Sequence, residues 1–306
     1  MSKEIKQFTI EIAGKQLIVE VGRLAPQAHA ACTVRYGDTV VLATVVTAAE
    51  PREGIDYFPL MVDFEERLYA AGKIKGSRFI KREGRASDEA VLTARLIDRS
   101  IRPLFKESIR RDVQVVITVL SVDNVNDADI PAMTAASIAL AISPIPWSGP
   151  LAGVRVGRIN GEWVLNGSYE AREKSDFDLV VSGTEQGVIM IEAGGQQVPE
   201  DVFIGAIEFA HKHLKQQIAF INDIVSQIGQ KKNEETVDAE AQAIELLIKG
   251  KVDTFLASKD LQKLFHPEKQ AMKIAIAEAK HELEGILKAD NEVSKDARAI
   301  GLNLFD

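Results

Sequence analysis

The chain has 306 residues, 46% of them apolar and 27% charged, so it can bury a sizeable core as one large domain or two of ordinary size, and collagen, coiled coil and bulk disorder are excluded. Its 37 basic and 45 acidic residues leave a net charge of −8, which argues against indiscriminate nucleic-acid binding. No stretch reaches the roughly 18 apolar residues of a membrane span, the N-terminus MSKEIKQFTI lacks the apolar core of a signal peptide, and Cys32 is the one cysteine, so a cytoplasmic protein without membrane association is expected.

In chain order, Phe8, Ile10 and Ile12, then Leu17, Val19 and Val21, alternate with polar residues around Ala13-Gly14-Lys15, which predicts a hairpin. A second hairpin is expected from Cys32 to Val46 around Tyr36-Gly37-Asp38. A strand at 58–64, a Gly- and Lys-rich loop at 71–84 and a helix at 87–102 follow. Ser87 caps that helix, Asp88 and Glu89 stand in its first turn, and Pro103 lies just past its end. The continuous run Val113 to Val122 predicts a central strand buried on both faces, and Met133 to Ile142 a helix of small residues. Short strands are expected at 151–159, 162–165, 177–182 and 188–192, then a long helix at 199–228. Lys231-Lys232-Asn233-Glu234-Glu235 has the composition of a polar linker, and from Thr236 to Leu287 apolar residues recur at helical spacing. This pattern predicts an α+β domain of mixed sheets and packed helices over 1–232 and a small all-α domain over 235–306. The apolar ending Ala-Ile-Gly-Leu-Asn-Leu-Phe-Asp is expected to have no closing element, as in a chain cut from something longer.

The charge is unevenly placed. Between Arg67 and Arg111 stand 13 basic residues, nine of them Arg, and five acidic ones, a local +8 in an acidic chain. Arg grips phosphate in a planar, bidentate way. Arg95, Arg99 and Arg102 lie at i, i+4 and i+7, on one helix face. Either an anion sits among them, or Asp98, Glu107 and neighbouring acids neutralise them. Upstream, Gly76 to Arg85 sets Phe79 beside Lys81, Arg82 and Arg85. That composition suits a single strand, with a base on the ring and phosphates on the cations. It is equally compatible with Phe79 and Ile80 anchoring the loop to the core. The five histidines form no ligand set, and no Gly-rich phosphate loop or nucleophile triad is present, so neither catalytic nor metal-binding residues are assigned to this chain.

Phe-Pro-Leu-Met-Val-Asp-Phe-Glu-Glu-Arg (58–67), Ala-Ala-Gly-Lys-Ile-Lys-Gly-Ser (70–77), Arg-Glu-Gly-Arg (82–85), Ala-Arg-Leu-Ile-Asp-Arg-Ser-Ile-Arg-Pro-Leu-Phe (94–105) and Val-Val-Ser-Gly-Thr-Glu (180–185) resemble, in order, the first half of the bacterial polynucleotide phosphorylase family. The resemblance implies a first RNase PH-like domain, of the ribosomal-protein-S5-domain-2-like fold, followed by the all-helical domain, with a second RNase PH-like domain and KH and OB-type modules missing. It implies a homotrimeric ring that degrades single-stranded RNA, mRNA included, from 3′ to 5′. Inorganic phosphate is consumed and nucleoside diphosphates are released, with Mg²⁺ as cofactor and an RNA degradosome endoribonuclease as a further partner.

In that family a run of serines, two aspartates and a lysine of the second domain form the active site. Here Asp127, Ala128 and Asp129 stand where the serines would be, Glu170 and Asp176 at the aspartate positions, and Val180 at the lysine position. The carboxylates are expected to repel phosphate, and Asp176 and Asp178, on one strand face, to bind metal weakly at best. The resemblance therefore implies a degenerate domain that binds RNA through Phe79, Lys81, Arg82, Arg85, Arg95, Arg99 and Arg102. The rival expectation is a stand-alone RNA-binding scaffold without catalysis.

Overall fold

Strands form where the alternation places them. In a computed structural model describing residues 4–52, 54–55, 57–74, 84–233, 239–259, 268–290 and 293–305, β1 (Lys6–Ile12) pairs antiparallel with β2 (Lys15–Val21), and β3 (Ala30–Tyr36) with β4 (Thr39–Thr47). β5 (Leu60–Glu65) and β6 (Val113–Ser121) complete a six-stranded sheet of order β1-β2-β3-β4-β6-β5. Only β5 and β6 run parallel, and the segment between them carries α1 (Asp88–Ile101). A second, antiparallel sheet of order β10-β9-β7-β8 is built from β7 (Ala152–Ile159), β8 (Glu162–Leu165), β9 (Phe177–Gly183) and β10 (Val188–Gly195).

Between these sheets in sequence lies α2 (Asp129–Ile142), which starts four residues earlier than expected and has all of its residues buried. A helix apolar all round belongs inside a core. Its alanines admit close neighbours: α2 packs on β3, β4 and β7, and the Ser137 hydroxyl donates to the Leu151 carbonyl at 2.6 Å while accepting the Leu151 N–H at 3.1 Å. The helix α4 (Glu200–Ile228) covers the second sheet with Ala206, Ala210, Leu214 and Ile218 and reaches the main core with Ile221 and Ile224.

Four expectations need correction. β6 is buried on one face only, through Val113, Val115, Ile117 and Val119. Its other face carries Gln114 and Thr118, whose partners are Asp63 and Glu65 on β5, because a continuous apolar run cannot distinguish one buried face from two. The short helix α3 (Tyr169–Glu173), capped by Ser168, was not expected. Residues 230–233 are docked on α2 rather than free: the Gln230 and Asn233 N–H groups donate to Ile142 and Pro144, and Lys232 Nζ donates to the carbonyls of Leu140 and Ser143 at 2.6 and 2.8 Å. Burial there pushes the Lys232 ammonium down to about 8, while its bonds satisfy carbonyls at the end of α2. Finally, the apolar ending is itself helical, in α7 (Lys295–Phe305), and Leu302 and Phe305 pack on a local core.

Contacts divide the chain into units 1–235 and 236–306. The second contains α5 (Ala239–Ala257), α6 (Lys269–Ala289) and α7, gathered around Ile248, Val252, Phe255, Leu283 and Leu287. Among the described residues no helix is long and apolar enough to cross a membrane.

The α2–β7 contact depends on Gly153, where an added Cβ would run into Met133 Sδ. Gly153→Ala is expected to lower stability by about 1 to 3 kcal/mol through overpacking, whereas Gly194→Ala, with open space around it, should be close to neutral in the same thermal melt. Equal melting temperatures for both variants would mean that Met133 repacks freely.

Candidate nucleic-acid interface

The first unit contains an open cavity of about 1820 Å³, walled by the end of β5, one face of α1, the β6–α2 connection, α3, and β9 with β10. α1 is set in place at both ends. The Ser87 hydroxyl accepts the Ala90 N–H at 3.0 Å and donates to Glu66 at 2.6 Å, and further along Ser182 of β9 donates to the buried Ser100 hydroxyl at 2.8 Å. With Leu96, Ile97 and Ile101 buried, the opposite face of α1 presents Arg95 and Arg99 to the cavity.

The arginine stripe divides into three different roles. Arg95 is exposed and has no ion pair among the described residues. Arg99 reaches across to Glu192 on β10 at 2.6 Å, with both side chains 56% exposed, so that pair is screened and easily exchanged for another anion. Arg102 leaves the stripe. Its guanidinium donates to Asp98 at 2.7 Å and to the carbonyls of Phe58 and Leu60, and stands 5.9 Å from the Phe58 ring, so it fastens α1 to the strand beside it and does not line the cavity. The ion-pair alternative foreseen with Asp98 therefore holds for Arg102 alone. Arg85 is exposed on the cavity wall, and Phe79, Lys81 and Arg82 lie outside the described residues. Among the described lining residues carboxylates outnumber cations, so the local +8 of the sequence does not make this wall uniformly basic.

At the far wall the expected repulsive carboxylates are neutralised. Arg155, within the apolar strand β7 and only 8% exposed, pairs with Asp129 of α2 and Asp178 of β9, and lies 3.9 Å from Asp127. Arg172 of α3 pairs with Asp127 at 2.6 Å and Asp178 at 3.1 Å, while Arg158 holds Asp176. Burial raises the Asp129 carboxyl above its usual range; Arg155 opposes that shift and Asp127 adds to it. Burial works against the Arg155 charge, but Asp129 and Asp178 more than compensate and hold the guanidinium firmly protonated. Asp176 and Asp178 are thus each engaged by arginine. Among the described residues no three His, Cys, Asp or Glu side chains gather as a metal site, and the carboxylate donor set does not fit Mg²⁺ while Arg155 lies within it. The expectation of a pocket closed by bare negative charge is corrected: an internal cation occupies it.

Asp123 fixes the connection that carries these carboxylates. Burial disfavours its ionisation, yet hydrogen bonds from the N–H groups of Asn126, Val125 and Asp38 and from the Asn126 amide hold it well below the usual carboxylate range. Gly37 makes room for this latch, with φ +64° and a hypothetical Cβ only 2.6 Å from Asp123 Oδ2. The Val125 carbonyl then accepts the Tyr169 N–H at 3.2 Å, which sets α3 against the cavity.

Arg155, Arg172 and Tyr169 were not singled out from the sequence. The signal for Arg155 was a cation flanked by valines in Ala-Gly-Val-Arg-Val-Gly-Arg-Ile, since a buried guanidinium demands carboxylate partners.

Residues 13–146 match the 3′ exoribonuclease family, domain 1, and residues 149–213 match domain 2 of the same family. The chain belongs to the 3′ exoribonuclease family. It is similar to the polyribonucleotide nucleotidyltransferase of Geobacillus kaustophilus (strain HTA426), with 47% identity over 98% of this chain and 41% of that protein. The protein of the same description from Bacillus cereus (strain AH187) is 53% identical over 76% of this chain and 33% of its own length. The chain therefore spans about two-fifths of the first relative and a third of the second. Rice Rrp46 shares the RNase PH-type α+β fold, with a TM-score of 0.54 at 16% identity over 74% of this chain and 96% of that one. A chain of the Archaeoglobus fulgidus exosome, solved with RNA bound to the active site, does so with a TM-score of 0.50 at 17% identity over 69% and 85%.

Removing Arg155 alone would leave the buried Asp129 carboxylate without its ion-pair partner, while Arg172 would still hold Asp127 and Asp178. Arg155→Met is expected to cost about 3 to 5 kcal/mol at neutral pH. Because a folded-state carboxyl with a raised pKa binds its proton more tightly than the unfolded one, the deficit should shrink as pH falls through that raised value. Chemical denaturation across pH measures it, and Asp129→Asn added to Arg155→Met should restore part of the loss at neutral pH.

Proposed function

We propose that this chain is the N-terminal, RNA-holding part of a polyribonucleotide nucleotidyltransferase that degrades single-stranded RNA from 3′ to 5′ by phosphorolysis and assembles as a homotrimer. The observation that carries the reading is the cavity itself, where Arg85 and Arg95, without ion pairs among the described residues, and the exchangeable Arg99 lie beside a far wall whose carboxylates are already matched by Arg155 and Arg172. Such a surface holds phosphodiesters and performs no phosphoryl transfer. Transfer needs a site that neutralises charge developing on the phosphoryl oxygens, and Mg²⁺, inorganic phosphate and the departing nucleoside diphosphate belong to a second RNase PH-like domain of the whole protein. The similarity to a polyribonucleotide nucleotidyltransferase along 98% of this chain and 41% of that protein supports reading the chain as one part of such an enzyme. In this reading residues 1–232 are the RNA-gripping domain, with Phe79, Lys81 and Arg82 adding a stacking ring and cations, and residues 235–306 are the helical domain.

Two measurements test it. Incubated with a single-stranded RNA, phosphate and Mg²⁺, this chain should release no nucleoside diphosphate, while still binding the RNA; release above an enzyme-free control would refute the division of roles. Arg95→Ala with Arg99→Ala should weaken RNA binding and flatten its dependence on salt, by roughly 0.7 in log–log slope for each lost phosphate contact on a single strand. The melting temperature should stay nearly unchanged, because neither guanidinium is buried. Early melting with unchanged affinity would assign both residues to structural ion pairing.

A further inference from the structure

The cavity wall opposite α1 offers a surface of different chemistry. Tyr169 is 41% exposed there, and the Arg172 guanidinium lies 5.7 Å from its ring centre. Arg172 cannot swing away freely, since Asp127 and Asp178 hold it. The ring is also fixed from the backbone side. Tyr169 is the first residue of α3, its N–H is bound to the Val125 carbonyl, and the Val125 N–H is in turn bound by Asp123 at 2.8 Å. A ring immobilised before a ligand arrives forfeits little entropy on binding. Burial, with the nearby Asp127 and Asp129, pushes the Tyr169 phenol up to about 12, so the ring is neutral under all ordinary conditions.

The surrounding charges decide what meets this ring. Asp127 and Asp178 already engage Arg172, so this wall disfavours a phosphate, whereas a nucleobase has a π-face for the ring and brings no charge. Arg95 and Arg85, on the same cavity, are the groups that attract phosphate. A strand in the cavity would then turn its backbone to α1 and a base to α3.

We propose that Tyr169, backed by Arg172, is a stacking platform for one nucleobase of single-stranded RNA in this cavity. The proposal rests on the reading of the cavity as an RNA-holding surface. Stacking is tolerant of base identity, so the platform selects unstacked strands over duplexes and favours no particular sequence.

The test uses the 306-residue chain with a fluorescein-labelled RNA oligonucleotide and the same oligonucleotide carrying abasic sites, each titrated across salt. Tyr169→Ala is expected to weaken binding of the intact RNA about tenfold, within the range of a lost base stack, with the salt slope unchanged. Tyr169→Phe should stay close to the parent protein, and the abasic strand should bind the parent and Tyr169→Ala alike. If Tyr169→Ala melts early, Tyr169→Leu keeps the apolar bulk without the aromatic face and should show the same loss. Parent-like affinity of the alanine or leucine variant for intact RNA, or an equal loss on both strands, overturns the platform. Arg95→Ala separates the two levels of the argument: if it flattens the salt slope while the Tyr169 variants are silent, the RNA-holding surface stands and the platform falls. If Arg95→Ala changes neither affinity nor slope, the surface itself falls.

Discussion

A guanidinium buried among carboxylates organises the first unit. Arg155 stands on β7, Asp178 on β9 and Asp129 on α2, so one cation joins the second sheet to the helix packed against the first. The arrangement is held by mutual need. Neither Arg155 nor Asp129 could be buried alone, and each supplies the compensation that the other requires. Arg172 extends the network to Asp127 and brings α3 against the same wall, while Arg158 and Asp176 repeat the motif at the start of β9.

This network also sets the chemistry of the cavity. A guanidinium fills the space among carboxylates in which a divalent ion would otherwise be the natural occupant. The features left for a ligand are those outside the network: Arg95, Arg85, the loosely paired Arg99 and the Tyr169 ring. The proposed division of labour, holding a strand here and cutting it elsewhere, follows from which charges are already matched. The count of basic residues in the segment would not have revealed it.

Two further contacts protect the geometry. Asp123 gathers the N–H groups of Val125, Asn126 and Asp38, which fixes the β6–α2 connection against the second hairpin, and Lys232 completes the carbonyls at the other end of α2. With both ends tied and the whole helix buried, α2 offers no easy local opening.

The α+β class, both hairpins, the capped α1, the four short strands of the second sheet and the long α4 were legible in the sequence, because each rests on a local pattern: alternation, a cap or helical spacing. Local patterns also placed Arg95 and Arg99 together on one helix face. What they could not carry was any fact that depends on residues distant in sequence. That Arg102 also donates to the Phe58 and Leu60 carbonyls, that Arg99 meets Glu192, and that Asp127, Asp129 and Asp178 converge on Arg155 are decided by strand order and by the packing of α1 and α2. Local composition determined where charge is concentrated; the tertiary structure alone determined which charges cancel, because in a low-dielectric interior a charge is defined by the partner the fold brings to it.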